Sequence, residues 1–93
     1  MAANELKLKD DVRRAERADK ILNDQLVKEA LNNIKQALYF NIESSSWRSR
    51  GEREECYRML KVVARFQKEF EDHIRNGKVA GSRLTELLMK VKR

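Results

Sequence analysis

The stretch from Glu52 to Asn76 constrains the fold of this chain more than any other. Its apolar positions recur at alternating spacings of three and four residues: Cys56, Met59, Val63, Phe66, Phe70 and His73. That spacing places them in one narrow stripe along a helix, which we call the seam. Almost opposite the seam lie four cations, which we call the basic stripe: Arg58, Lys61, Arg65 and Lys68. Such a helix has one apolar face and one solvent-exposed basic face, so we expect other helices to cover the seam.

Length and composition indicate one small all-α domain over residues 1–93. The chain has 93 residues, of which 39% are charged, with three glycines and no proline. This composition predicts helices joined by short turns. Because a chain of this size buries only about 60–65% of its unfolded surface, we expect self-association to supply part of the core.

Four helices are predicted. The first covers about residues 5–22, and Asn23-Asp24 favours the N-cap of a second helix over about 25–47. Ser49 and Glu52 match the S-x-x-E capping box and place a third helix over about 52–76. Asn76-Gly77 is typical of a helix stop, and a short C-terminal helix follows over about 82–92.

The two central helices have similar lengths and a short connection, so we expect them to pack as an antiparallel hairpin. Ile34 and Leu38 of the second helix join the seam of the third in a core or oligomer contact. The first and last helices then fold over that hairpin or reach across to another chain.

The sequence offers no catalytic set. Cys56 and His73 are the one candidate nucleophile–base pair, but they stand 17 residues apart on one predicted helix. At 1.5 Å per residue that is roughly 25 Å, too far for a hydrogen bond. A zinc site needs three or four converging ligands, which this inventory does not supply. We therefore expect no enzyme activity, no cofactor, no metal and no small-molecule substrate.

The sequence also lacks signs of export or membrane insertion. No 18 apolar residues stand together, and the first residues lack the apolar run of a signal peptide. A single cysteine suits a reducing compartment. We expect a cytoplasmic protein that does not enter a membrane.

Charge is distributed unevenly along the chain. The net charge is +6, yet residues 1–43 carry eight basic and eight acidic groups, so the excess lies in the second half. This pattern suits nucleic acid or an acidic partner protein, although a solvated helical exterior would look the same. The candidate binding residues are the basic stripe together with Trp47, Arg48, Arg50, Lys90, Lys92 and Arg93.

Trp47 allows two interpretations. Beside two arginines it could serve as a stacking platform for a nucleic-acid base. Packing considerations favour the other, in which it closes the end of the hairpin core against Tyr57 or Phe40.

Several short strings resemble a known group of proteins: Arg14-Ala15-Glu16-Arg17-Ala18, Ile21-Leu22-Asn23-Asp24, Glu29-Ala30, Trp47, Arg53-Glu54 and Asn76-Gly77-Lys78-Val79-Ala80. Over about residues 12–80 the chain resembles small all-helical proteins of tailed bacteriophages, often encoded near virion-structure genes. The chain departs from that group at Gln25, where relatives often have proline, and at Arg48 and Arg50, where they have an acidic turn. The group provides no activity or binding residues to transfer, so the resemblance implies a biological context.

Three functions are consistent with these features. The leading hypothesis is a non-enzymatic phage accessory protein, a self-associating helical module in virion assembly, DNA packaging or ejection. It would reside in the host cytoplasm or be incorporated in the virion. The alternatives are a non-specific nucleic-acid-binding protein that uses the basic stripe, and a host-takeover factor that docks on an acidic host protein.

Overall fold

The computed structural model describes residues 2–91, and side chains from Asn4 to Lys90. It contains three helices, which we number α1 (Ala2–Leu22), α2 (Gln25–Ser44) and α3 (Arg50–Val91). Within residues 2–91 there is no strand. The prediction of an all-α chain is confirmed, whereas the predicted number of four helices is wrong.

The described residues group into two compact units. Unit 1 contains residues 2–22 and 69–91, so α1 groups with the C-terminal part of α3 of the same chain. Unit 2 contains residues 23–68, which are α2, the following turn and the N-terminal part of α3. The first helix thus finds its packing surface in its own chain, a choice that the sequence left open.

Asp24 separates α1 from α2. Its side-chain Oδ1 accepts hydrogen bonds from the backbone N–H of Leu26 at 2.9 Å and of Val27 at 3.2 Å. These two donors have no partner inside the helix, and an N-cap carboxylate satisfies them. The predicted N-cap and the predicted start of the second helix at residue 25 are both confirmed.

Three consecutive serines end α2 at Ser44, three residues before the predicted end at Trp47, so that prediction is wrong. The Ser44 hydroxyl donates to the carbonyl of Phe40 at 2.7 Å, and the Ser45 hydroxyl donates to that of Ile42 at 2.8 Å. The Ile42 carbonyl is one of the last four of the helix, which have no intrahelical donor, and the Ser45 hydroxyl satisfies it. The Ser44 bond is the i−4 contact to the backbone that serine side chains commonly form in helices. Ser45 then turns into extended backbone, with φ −68° and ψ 143°.

Ser49 occupies the N-cap position of α3. Its carbonyl accepts from the N–H of Arg53 at 3.1 Å, and Glu52 lies in the first turn. These are the positions that the capping-box pattern assigns to the two residues. The helix begins at Arg50, two residues earlier than predicted.

The predicted helix stop at Gly77 is wrong, and so is the separate helix over 82–92. The chain stays helical from Arg50 to Val91, and no glycine among the described residues has positive φ. Gly77 has a packing function instead. A Cβ atom built on it would overlap the Cβ of Ala15 and lie 3.3 Å from the carbonyl oxygen of Asp11. Glycine is therefore needed for the close approach of α1.

The seam continues in phase beyond the residue where we expected it to end. After His73 the same spacing of four and three residues gives Gly77, Ala80, Leu84 and Leu87. Gly77 and Ala80 are buried, the latter only 2% exposed, and Ala18 of α1 is 3% exposed. In unit 2 the buried apolar side chain is Leu38 of α2, at 6%. The core of unit 1 thus consists of small residues that bring two helix backbones together.

This packing predicts opposite outcomes at two glycines of the same helix. Alanine gains about 1 kcal/mol of helix propensity over glycine, and overpacking costs about 1–3 kcal/mol. We expect Gly77→Ala to lower the thermal unfolding midpoint of unit 1. Circular dichroism measures this midpoint through the loss of helix. Gly81→Ala is the matched control, because nothing lies within 4 Å of its Cβ position, and it should raise the midpoint. Equal stabilisation by both substitutions would contradict the close approach of α1 at Gly77.

Candidate functional site

Unit 2 leaves a large part of the seam accessible. Met59 and Phe66 are 47% and 48% exposed, and the neighbouring Val62 is 67% exposed. Cys56 and Val63 are half-buried. Residues 59, 62 and 66 follow one another at spacings of three and four, so they lie along one edge of α3. We call this edge the open row.

An apolar groove of about 380 Å³ lies between α2 and α3 in unit 2. Every residue that lines it is apolar: Val27, Ala30, Leu31 and Ile34 of α2, with Val62, Val63 and Phe66 of α3. Ile34, one of these lining residues, is 45% exposed. The groove and the open row form one continuous apolar surface, which we call the unit 2 groove. Ile34, Val63 and Phe66 are predicted seam residues, whereas Val62 lies one residue outside the predicted stripe and is not among them.

The remaining seam residues have different surroundings. Cys56 lines a polar depression with Asn41, Ser44, Ser45 and Glu52 in unit 2. Phe70 and His73 belong to unit 1, where they line a shallow depression of about 180 Å³ with Arg14, Arg17, Ala18 and Ile21. The predicted seam is therefore divided, since its first part meets α2 and its later part meets α1.

Trp47 stands at the turn after α2 and is 78% exposed. The interpretation that it packs on Tyr57 or Phe40 is wrong, because those residues are also 54% and 68% exposed. The guanidinium carbon of Arg48 lies 5.0 Å from the centre of the indole ring, within the range of a cation–π contact. An exposed indole beside a cation is the arrangement that a stacking platform requires.

Arg53 holds the turn that carries Trp47. Its guanidinium donates to the Ser45 hydroxyl at 3.3 Å, to the Ser46 carbonyl and to the Trp47 carbonyl at 3.2 Å. The planar fork of arginine supplies these donors at fixed angles. This function of Arg53 could not be predicted from the sequence, because no local spacing rule connects it with acceptors six to eight residues earlier.

The basic stripe is exposed at all four positions. Arg58 pairs with Glu55 at 3.4 Å, and Arg50 pairs with Glu54 at 3.3 Å. The four side chains of these pairs are 52–85% exposed, and exposed ion pairs contribute at most about 1 kcal/mol. They would therefore yield readily to a competing phosphate or carboxylate.

Three of the predicted binding residues lie near the C-terminus: Lys90, Lys92 and Arg93. Lys90 belongs to unit 1, where it lines a groove of about 410 Å³ with Asn4, Lys7, Leu8, Arg83, Glu86 and Leu87. Lys92 and Arg93 lie outside the described residues. Lys7 could not be connected with Lys90 from the sequence, since the two come from opposite ends of the chain. Arg83 lies seven residues before Lys90 on the same helix face, and this spacing could have connected the two.

Among the described residues, no group of three histidine, cysteine or acidic side chains could hold a metal ion. Within the same part of the chain, each helix is too short or too polar to span a bilayer.

Comparisons with family models, curated proteins and solved structures found no match to this chain.

Proposed function

We propose that the protein is a non-enzymatic, self-associating helical binding module of a tailed bacteriophage, acting in virion assembly, DNA packaging or ejection. The observation that carries the self-association is the unit 2 groove. Three of its side chains, Ile34, Val62 and Phe66, are 45–67% exposed. Full burial of an exposed apolar side chain of this size contributes about 1.5–3 kcal/mol, so burial of these half-exposed side chains would contribute about half of that each. Association is therefore a large source of stability for this chain.

Within this module, α2 and residues 50–68 of α3 would form an antiparallel hairpin. Support comes from the grouping of lining residues. Val27 to Ile34, early in α2, line a groove with Val62 to Phe66, which come late in this part of α3. Asn41 to Ser45, at the end of α2, lie beside Glu52 and Cys56 near the start of α3.

The phage context of the proposal is supported by the resemblance over about residues 12–80. Small helical modules that associate through apolar faces suit particle assembly, where many copies of one chain repeat the same contact.

The proposal predicts a mass in solution above that of the 11.0 kDa chain. Sedimentation equilibrium of the full chain at micromolar concentration should give an integral multiple of that mass. The association should persist at high salt, because apolar contacts are not screened by ions. A strict monomer over the whole concentration range would contradict the proposal.

A second candidate function, binding of single-stranded nucleic acid, is favoured by the exposed Trp47–Arg48 pair. One base could stack on the indole while the basic stripe follows the phosphates. From Arg58 to Lys68 the stripe covers ten residue steps of α3, or about 15 Å. That length matches only a few nucleotides, so the contact would be short and would depend on charge.

Fluorescence of Trp47, the one tryptophan of the chain, provides a direct test. A single-stranded oligonucleotide should quench it at 50 mM salt, and affinity should fall with salt by about 0.7 log units per log unit for each phosphate contact. Lys61→Gln with Lys68→Gln should reduce that slope by about 1.4. Lys9→Gln with Lys20→Gln in α1 changes the net charge equally and should leave the slope nearly unchanged. Absence of quenching at 50 mM salt would exclude this function.

A further inference from the structure

We propose that the unit 2 groove binds a second copy of this chain in a two-fold arrangement, with α2 of each copy lying over the open row of the other. This inference rests on the proposed self-association and adds the surface and the pairing of helices. The result would be a four-helix layer built from two helices of each copy.

The two parts of the seam in α3 differ in burial. From residue 70 to residue 87 every seam position is buried or half-buried, because α1 packs there. From residue 56 to residue 66 the seam positions alternate in burial. Cys56 and Val63 are half-buried, whereas Met59 and Phe66 are half-exposed. In a seam of this spacing, both rows normally meet a neighbouring helix. The exposure of the open row is therefore the pattern expected where α3 has one neighbouring helix instead of two.

The exposed edge of α2 and the open row differ in side-chain size. On α2, Ala30, Ile34 and Ala37 are exposed at spacings of four and three residues, so they form a stripe along one edge of the helix. Two of these three residues are alanines, whereas the open row consists of larger side chains. Large side chains on one helix pack well against small ones on its neighbour. Each copy thus carries both a small-residue stripe and a large-residue row, as a self-complementary two-fold contact requires.

The net charge of α2 differs from that of residues 50–68 of α3. The charged residues of α2 are two lysines and two glutamates, so its net charge is zero: Lys28, Glu29, Lys35 and Glu43. Residues 50–68 carry six basic and three acidic groups, so this part of α3 is positive. Contact between the α3 helices of two copies would bring like charges together. Contact of the neutral α2 with α3 of the second copy avoids that repulsion.

The groove itself favours a protein helix over other occupants. Its lining is apolar throughout, so a polyanion would gain no phosphate contact there. A small apolar ligand could fill the groove between α2 and α3. Met59 does not line that groove, so its exposure would not change. A second copy covers Met59, Val62 and Phe66 together.

Cysteine cross-linking between separately prepared variants tests the pairing. In a Cys56→Ala background, one preparation carries Ile34→Cys and the other carries Val62→Cys. The two are mixed, exchanged by unfolding and refolding together, and oxidised gently. We expect the mixture to form disulfide-linked dimers several-fold faster than either variant alone, because position 34 of one copy faces position 62 of the other.

Gln36→Cys with Lys68→Cys is the matched control, since both positions lie on the opposite faces of the same helices. This mixture should show no preference over its separate variants. An oligomeric protein without the selective 34–62 link, or with faster links between identical variants, would overturn this inference and leave the proposed self-association intact. A parent protein that is monomeric at every concentration would overturn both.

Discussion

The packing of α3 is the constraint on which the rest of the structure depends. One seam with alternating spacings of three and four residues continues through this 42-residue helix. No single short helix can cover a stripe of that length, and the chain divides the task between α1 and α2. Coverage by α1 requires a backbone approach that glycine at position 77 permits. The two parts of the seam differ as a result, since one is closed by small residues and the other keeps larger side chains accessible.

Much of the fold could be predicted because its determinants are local. The N-cap at Asp24 and the capping-box pattern of Ser49 and Glu52 are short-range patterns. Each pattern lies at the start of the helix that it predicts. Gly77 could not be assigned in the same way, because glycine serves both to end a helix and to admit a neighbouring one. The signal that distinguishes the two functions was present in the sequence. Gly77, Ala80, Leu84 and Leu87 continue the spacing of the seam without a change of phase.

The candidate surfaces were harder to predict, since they depend on contacts between distant residues. The exposure of Trp47 follows from the early end of α2 at three serines and from the hydrogen bonds of Arg53 to the turn. Neither effect has a spacing pattern that a sequence reveals. The exposure of the seam at Met59 and Phe66 could not be predicted from its spacing, because it depends on which edge of α3 the helix α2 leaves open.

The central claim is that the accessible part of the seam in unit 2 is completed by another copy of the chain. Residue-resolved amide hydrogen exchange at several protein concentrations tests it most directly, because mass action makes protection at an interface depend on concentration. We predict that protection of α2 and of residues 56–66 rises with concentration, while that of residues 70–87, where α1 already packs, stays constant. Protection that is independent of concentration throughout, or that rises only in residues 70–87, would contradict the claim.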